Sequence, residues 1–213
     1  MDDGARDRTP AEGGHTPTPT PPPPPNPLEA LQGWLADAHA AGAPAPSAVA
    51  FVTVGADGRP SARTVSLKRL DAETLTFTSA LWTRKARELE GCPSVALLFH
   101  WPTLGRQVHI TGQAAFAERE LARELFAERD LPNQLQTLVS RQGMPIDDLE
   151  PLRARHAHLE ATMETPPACP EDWGAIRVRP DTVELWREAP DRLHDRWLYE
   201  RHERNWRITR LAP

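Results

Sequence analysis

The stretch that most limits what this chain can become is residues 94–113, S-V-A-L-L-F-H-W-P-T-L-G-R-Q-V-H-I-T-G-Q. Two runs rich in apolar and β-branched residues flank Pro102-Thr103-Leu104-Gly105, the pattern of two antiparallel strands joined by a short loop. The first run, residues 95–99, is apolar without alternation and is expected to be covered on both faces, as in a barrel wall. The second alternates, with Val108 and Ile110 on one side and Gln107, His109 and Thr111 on the other. A polar row on such a hairpin faces either water or a polar ligand.

The flanking chain supplies more strands and the helices to cover them. Residues 1–25 are rich in Gly, Pro, Thr and Asp and end in five consecutive prolines, so they are expected to form a disordered or polyproline tail. Asn26-Pro27 reads as a helix cap and first turn, and Leu28, Leu31, Leu35 and Ala38 follow at helical spacing. The folded domain is therefore expected over 26–213. Strands are expected at 48–54, 60–70 and 74–79, and a short helix at 84–90 with Thr83 as its cap. After the hairpin come helices at 118–129, 132–141 and 147–163. Short strands close the chain at 175–179, 183–186, 196–200 and 206–211. Strands first, helices between and strands last give an α+β domain, an antiparallel barrel with peripheral helices.

Composition narrows the function. A net charge of −5 over 213 residues argues against nucleic acid as a partner. Cys92 and Cys169 stand far apart with no paired ligands around them, as expected of ordinary thiols, and no metal site is expected. No apolar run approaches a membrane span, which points to a soluble cytoplasmic protein. The 25 basic residues include only two lysines, Lys68 and Lys85. They fall in one short segment, which suggests positions where a compact ammonium does what a planar guanidinium cannot.

Chemistry-bearing residues gather in four places. Arg63, Val65 and Leu67 alternate along one strand with Thr64, Ser66 and Lys68. Thr83-Arg84-Lys85 places a hydroxyl and two cations at a helix start, where backbone N–H groups also favour an anion; a solvated helix start would read the same way. With Arg63 alongside, this would suit a phosphomonoester. Gln107 lies on the polar row of the hairpin. Asp191-Arg192-Leu193-His194-Asp195-Arg196 is dense in charge before an apolar strand, as either a site or a salt-bridged turn would be.

In order, R-T-V-S-L-K, T-R-K-A-R-E-L, V-A-L-L-F-H-W-P-T-L-G-R-Q-V-H-I-T-G, V-E-L-W, R-L-H-D-R and W-R-I-T-R-L-A-P resemble the pyridoxine/pyridoxamine 5′-phosphate oxidase family. The resemblance runs from about Asn26 to Pro213. It implies a split β-barrel, a homodimer and FMN bound between the two chains. It implies hydride transfer from pyridoxine or pyridoxamine 5′-phosphate to the flavin, with reoxidation by O2 giving H2O2. On the same grounds Arg63, Thr64, Val65, Ser66, Leu67, Lys68, Thr78, Ser79, Arg84, Lys85, Gln107, Gln142, Trp186 and Arg196 would bind the cofactor. Lys68, Arg129, Asn133, Arg192 and His194 would bind substrate, the last two beside the reacting ring.

The chain departs from the family pattern in one patch. Leu125 and Asn133 stand where the family places a tyrosine and a serine around the substrate phosphate, and Gly143 replaces a serine after Gln142. A related branch oxidises reduced phenazine precursors with the same flavin site, so oxidation of a secondary metabolite is the alternative. A flavin- or vitamer-binding module without turnover is a third.

Overall fold

The computed structural model describes residues 23–213, so the expected tail lies outside the described residues as far as residue 22. The described part starts ahead of the expected boundary at Asn26. The hydroxyl of Tyr199, a fully buried side chain, donates to the Pro24 carbonyl at 3.0 Å. Burial also pushes the phenol up to about 12.

Helix α1 (Pro27–Ala40) begins where its cap dictates: Asn26 Oδ1 accepts from the Leu28 amide at 2.9 Å and Pro27 occupies the first turn. Its Leu28, Leu31, Leu35 and Ala38 face the core. Strands β1 (Ala48–Val54), β2 (Pro60–Ser66), β3 (Arg69–Leu70) and β4 (Leu75–Ala80) follow, then α2 (Arg84–Gly91). The hairpin is β5 (Ser94–Trp101) and β6 (Arg106–Phe116) around a 3-10 turn at Pro102–Leu104, with Gly105 at φ 57°. Three helices, α3 (Arg119–Ala127), α4 (Leu131–Val139) and α5 (Glu150–Thr162), precede β7 (Trp173–Arg187), β8 (Asp195–His202) and β9 (Asn205–Leu211).

All pairings are antiparallel, in the order β2-β1-β5-β6-β7-β4-β3, with β8 and β9 branching from β7. The sheet curls into a half-barrel around Phe51, Phe77, Leu97, Phe99, Val108, Ile110 and Val178, and α1 packs into the same core. Phe51 and Phe77 meet edge to face at 5.2 Å. A smaller cluster of Ala122, Leu125, Phe126 and Trp173 seats α3 on the start of β7. Among the described residues no helix is long and apolar enough to cross a membrane.

Three strand expectations change. The single strand expected over 60–70 is two, because the chain changes partner in the middle. The Leu67 amide bonds the Ser47 carbonyl beside β1, and the next amide, Lys68, bonds Thr76 beside β4. The strands expected at 175–179 and 183–186 are one strand of 15 residues. Pro180 looks like a stop, yet it sits opposite Gly112 where the β6–β7 register shifts, a place that tolerates a missing donor. The run at 95–99 is not covered equally on both faces: Val95, Leu97 and Phe99 are buried while Ala96 and Leu98 are half-buried beside Thr111 and His109.

Gly112 is required by this bend. A Cβ there would lie 2.2 Å from the Arg179 carbonyl oxygen and 2.9 Å from Pro180 Cα, both backbone atoms. Gly112→Ala should therefore destabilise the fold by roughly 2–3 kcal/mol, which lowers the Tm of a domain this size by about 5–10 °C. A thermal melt within 1 °C or so of wild type would show that the ladder relaxes freely here.

Candidate active site

A cavity of about 620 Å³ opens between the β2–β4 side of the sheet, the start of α2 and the α3–α4 pair. The structure brings Arg63, Thr64, Val65, Ser66, Lys68, Thr78, Lys85, Arg129, Asn133 and Gln142 together on its walls. Both lysines of the chain are among them. The break between β2 and β3 is what turns Lys68 towards the cavity rim: it follows the residue at which the chain leaves β1 for β4. Leu67 instead packs against the core. Arg84 lines an adjoining cavity of about 210 Å³ together with Arg63, Lys85 and Gln142. Ser79 is buried behind the wall, its hydroxyl donating to the Ala80 carbonyl at 2.9 Å.

Thr83 does not cap α2 with its side chain. Its hydroxyl turns back to donate to the Ala80 carbonyl at 2.8 Å, which leaves the first amides of the helix without a side-chain acceptor. Lys85 follows in that first turn and is 8% exposed, yet its ammonium has one contact among the described residues, Thr83 Oγ1 at 3.4 Å, and no carboxylate partner. Burial, and then the neighbouring Arg63, pull its pKa down. A buried cation without an anion is costly, and a ligand phosphate or carboxylate would relieve it. The donors here fit the phosphate of a flavin nucleotide.

Arg63 is fixed from below. Its Nη1 donates to the Phe51 carbonyl at 3.1 Å and to Thr53 Oγ1 at 2.6 Å, and its Nη2 to Ser61 Oγ at 2.6 Å. Glu88, on the next turn of α2, closes the network. It accepts from the Thr53 and Ser61 hydroxyls and, at 2.6 Å, from Arg84 Nε. Burial opposes its ionisation, but the hydroxyls of Ser61 and Thr53 and the Arg84 guanidinium override it and hold the carboxyl at about 2. Sequence reasoning missed Glu88, Thr53 and Ser61. Only the four-residue spacing of Arg84 and Glu88 could have signalled the first of them.

The remaining expected residues form a second cluster, away from the cavity walls. Gln107, Trp186 and Arg196 lie side by side across β6, β7 and β8. His194 sits against Trp186 with ring centroids 4.7 Å apart, and its Nδ1 accepts from the Ala189 amide at 3.2 Å. Arg196 is paired with Glu184 at 2.7 Å. Arg192 is exposed at φ 64°, a left-handed conformation that a non-glycine residue adopts at some cost. Within one chain, then, the expected site is two separate halves.

The far end of the cavity holds the altered patch. Leu125 is 3% exposed and offers no donor. The Arg129 guanidinium lies over the Phe126 and Trp173 rings at 5.6 and 5.4 Å and donates to Thr137 Oγ1 at 2.6 Å. One N–H of the Asn133 amide is taken by the Asp130 carboxylate. Glu128 and Asp130 also line this end, so it carries acids as well as cations.

Comparison with known proteins places this geometry. Residues 35–163 match the family described as pyridoxamine 5′-phosphate oxidase, and residues 173–213 match the pyridoxine 5′-phosphate oxidase C-terminal dimerisation region. The chain belongs to the pyridoxamine 5′-phosphate oxidase family. It is thus an oxidoreductase of a flavin-dependent family, on the split-barrel fold. Pyridoxine/pyridoxamine 5′-phosphate oxidases of Rubrobacter xylanophilus and Aeromonas hydrophila are each 42% identical to it, over 88% of this chain and 87% and 89% of theirs. The crystal structure of PhzG from Burkholderia lata in complex with tetrahydrophenazine-1-carboxylic acid is 34% identical, with a TM-score of 0.85, covering 90% of this chain and 94% of that one. An FMN-binding, pyridoxamine 5′-phosphate oxidase-related protein of Nostoc punctiforme shares the fold at 17% identity and TM-score 0.73.

The Glu88 network has a consequence in acid. The folded carboxyl, at about 2, lies below its ordinary 4.5, so its ionised contacts stabilise the fold fully above pH 4.5 and are lost as pH falls towards 2. Urea-unfolding midpoints measured across that window should fall with pH in the wild type. Glu88→Gln should lack that part of the slope, and parallel curves for the two proteins would contradict the assignment.

Proposed function

We propose that this protein is an FMN-dependent oxidase of pyridoxine or pyridoxamine 5′-phosphate that works as a homodimer. The observation that carries the reading is Lys85, a buried ammonium without an anion, beside Arg63 at the wall of a cavity that Lys68 and Arg129 also line. Lys85 and Arg84 hold the FMN phosphate, aided by the open amides at the start of α2 and by the fixed charge of Arg63 beneath them. Bound FMN supplies the two-electron acceptor that O2 regenerates, with release of H2O2. The side chains position the substrate: Lys68 and Arg129 attract its phosphate, and Arg192 and His194 hold its ring. Gln107, Trp186, Arg192, His194 and Arg196 reach the site from the second chain. The support for that is the separation of the two clusters within one chain and the match of residues 173–213 to a dimerisation region.

A second reading has its own observation. Leu125 offers no hydroxyl and Asn133 gives one of its two N–H groups to Asp130, so a phosphate at that end meets fewer donors and a nearby carboxylate. A ring carboxylate, such as the ligand in the PhzG crystal structure, would need fewer donors there.

Charge-assisted contacts to phosphate contribute about 1.5–3 kcal/mol each. Lys85→Ala should therefore weaken FMN binding at least about tenfold in a fluorescence titration. Wild-type protein that ignores added FMN would overturn the cofactor assignment.

Anaerobic titration separates the two substrates. The flavin-loaded protein should lose its visible absorbance on addition of pyridoxine 5′-phosphate and regain it in air. Bleaching by a tetrahydrophenazine carboxylate alone would install the second reading, and bleaching by neither would leave a flavin-binding module.

A further inference from the structure

The buried carboxylate beneath the cationic wall has a role of its own. Glu88 is 9% exposed, sits in α2 and faces β1 and β2, where Thr53 and Ser61 donate their hydroxyls to it. The two arginines it touches differ in what they have left to give. Arg63 spends both terminal nitrogens on Phe51, Thr53, Ser61 and, at 3.5 Å, Glu88. It is a fixed charge under the cavity. Arg84 spends only Nε, on Glu88 at 2.6 Å, and both its terminal nitrogens lack partners among the described residues. Its side chain is 63% exposed, so without this tether it would be a freely rotating surface arginine.

We propose that Glu88 is a positioning residue for the cofactor phosphate, holding Arg84 by Nε so that its terminal nitrogens face the smaller cavity beside Lys85. This rests on the FMN reading above. Three cations crowd the site, and the one carboxylate leaves two net positive charges, the complement of a phosphomonoester near neutral pH. A neutral side chain cannot do both jobs. Both hydroxyls donate to one carboxylate oxygen and Arg84 to the other. Glutamine would therefore keep either the two hydroxyls or Arg84 on its single oxygen and turn its N–H groups towards the other.

The test compares two ligands that differ only in the phosphate. Affinities for FMN and for riboflavin are measured on wild type, Glu88→Gln, Arg84→Ala and the double variant. Loss of one charge-assisted hydrogen bond predicts FMN binding about tenfold weaker in Glu88→Gln, with riboflavin changed less than about twofold. In the Arg84→Ala background the added effect of Glu88→Gln on FMN should largely vanish, since the two act as one unit. Equal weakening of both flavins would make Glu88 a core-packing residue only and overturn the proposal, as would unchanged or tighter FMN binding. If wild type binds neither flavin, the function reading above falls and takes this one with it. Should Glu88→Gln fail to fold, Glu88→Asp, which keeps the charge but shortens its reach to Arg84, carries the same FMN-to-riboflavin comparison.

Discussion

The close approach of β6 and β7 at Gly112 governs the shape of the molecule. β7 pairs with β4 over its first half and with β8 over its second, while β6 runs beside it from Ile176 to Arg187. A straight ladder cannot serve both, because β4 and β8 occupy the same edge of β7 in turn. The register shift at Thr111/Gly112, with Pro180 opposite, bends the pair so that the edge divides. One branch, β4–β3, contributes Thr78 to a wall of the cavity; the other, β8–β9, sets Arg196 beside Trp186 of β7. The two halves of the site are apart because this ladder forks.

Electrostatics at the cavity follow from what the core cannot absorb. Arg63 and Glu88 solve their burial with each other and with two hydroxyls. Lys85 has no such arrangement among the described residues, and its burial works against its charge. A fold that leaves one ammonium unmatched while satisfying its neighbours places a preference for anions at that spot. At the opposite end, Asp130 tempers Arg129 and Glu128 adds a second carboxylate to the lining, so the cavity is more uniformly cationic near α2 than near α4.

Features set by adjacent residues were legible in the sequence. The Asn26-Pro27 start of α1 and the loop of the β5–β6 hairpin needed no tertiary information. The alternation of Val108 and Ile110 with Gln107 and His109 likewise appears as a buried and a half-buried face. What failed depends on partners distant in sequence. Nothing in R-T-V-S-L-K-R-L announces that its amides change neighbours at Leu67–Lys68, and Pro180 ends strands far more often than it bends one. Thr83 reads as a cap, but Ala80 and Ser79 compete for its hydroxyl. Glu88 looked like one more surface acid of a charged helix, because Thr53 and Ser61 reach it from strands 35 and 27 residues earlier. The cationic residues were readable as a set; the carboxylate that orders them was not.

The distribution of primary amines gives this protein an unplanned experimental handle. Its side-chain amines are Lys68, exposed at the rim, and Lys85, buried in the wall of the same cavity. Every other basic side chain is arginine, which does not acylate under mild conditions, or histidine, whose acyl adducts hydrolyse readily. An amine-directed reagent therefore meets the side chains of the fold at one place, first at the exposed Lys68 and then at the buried Lys85, so that stable labelling of side-chain amines reads out the solvent access of a single cavity.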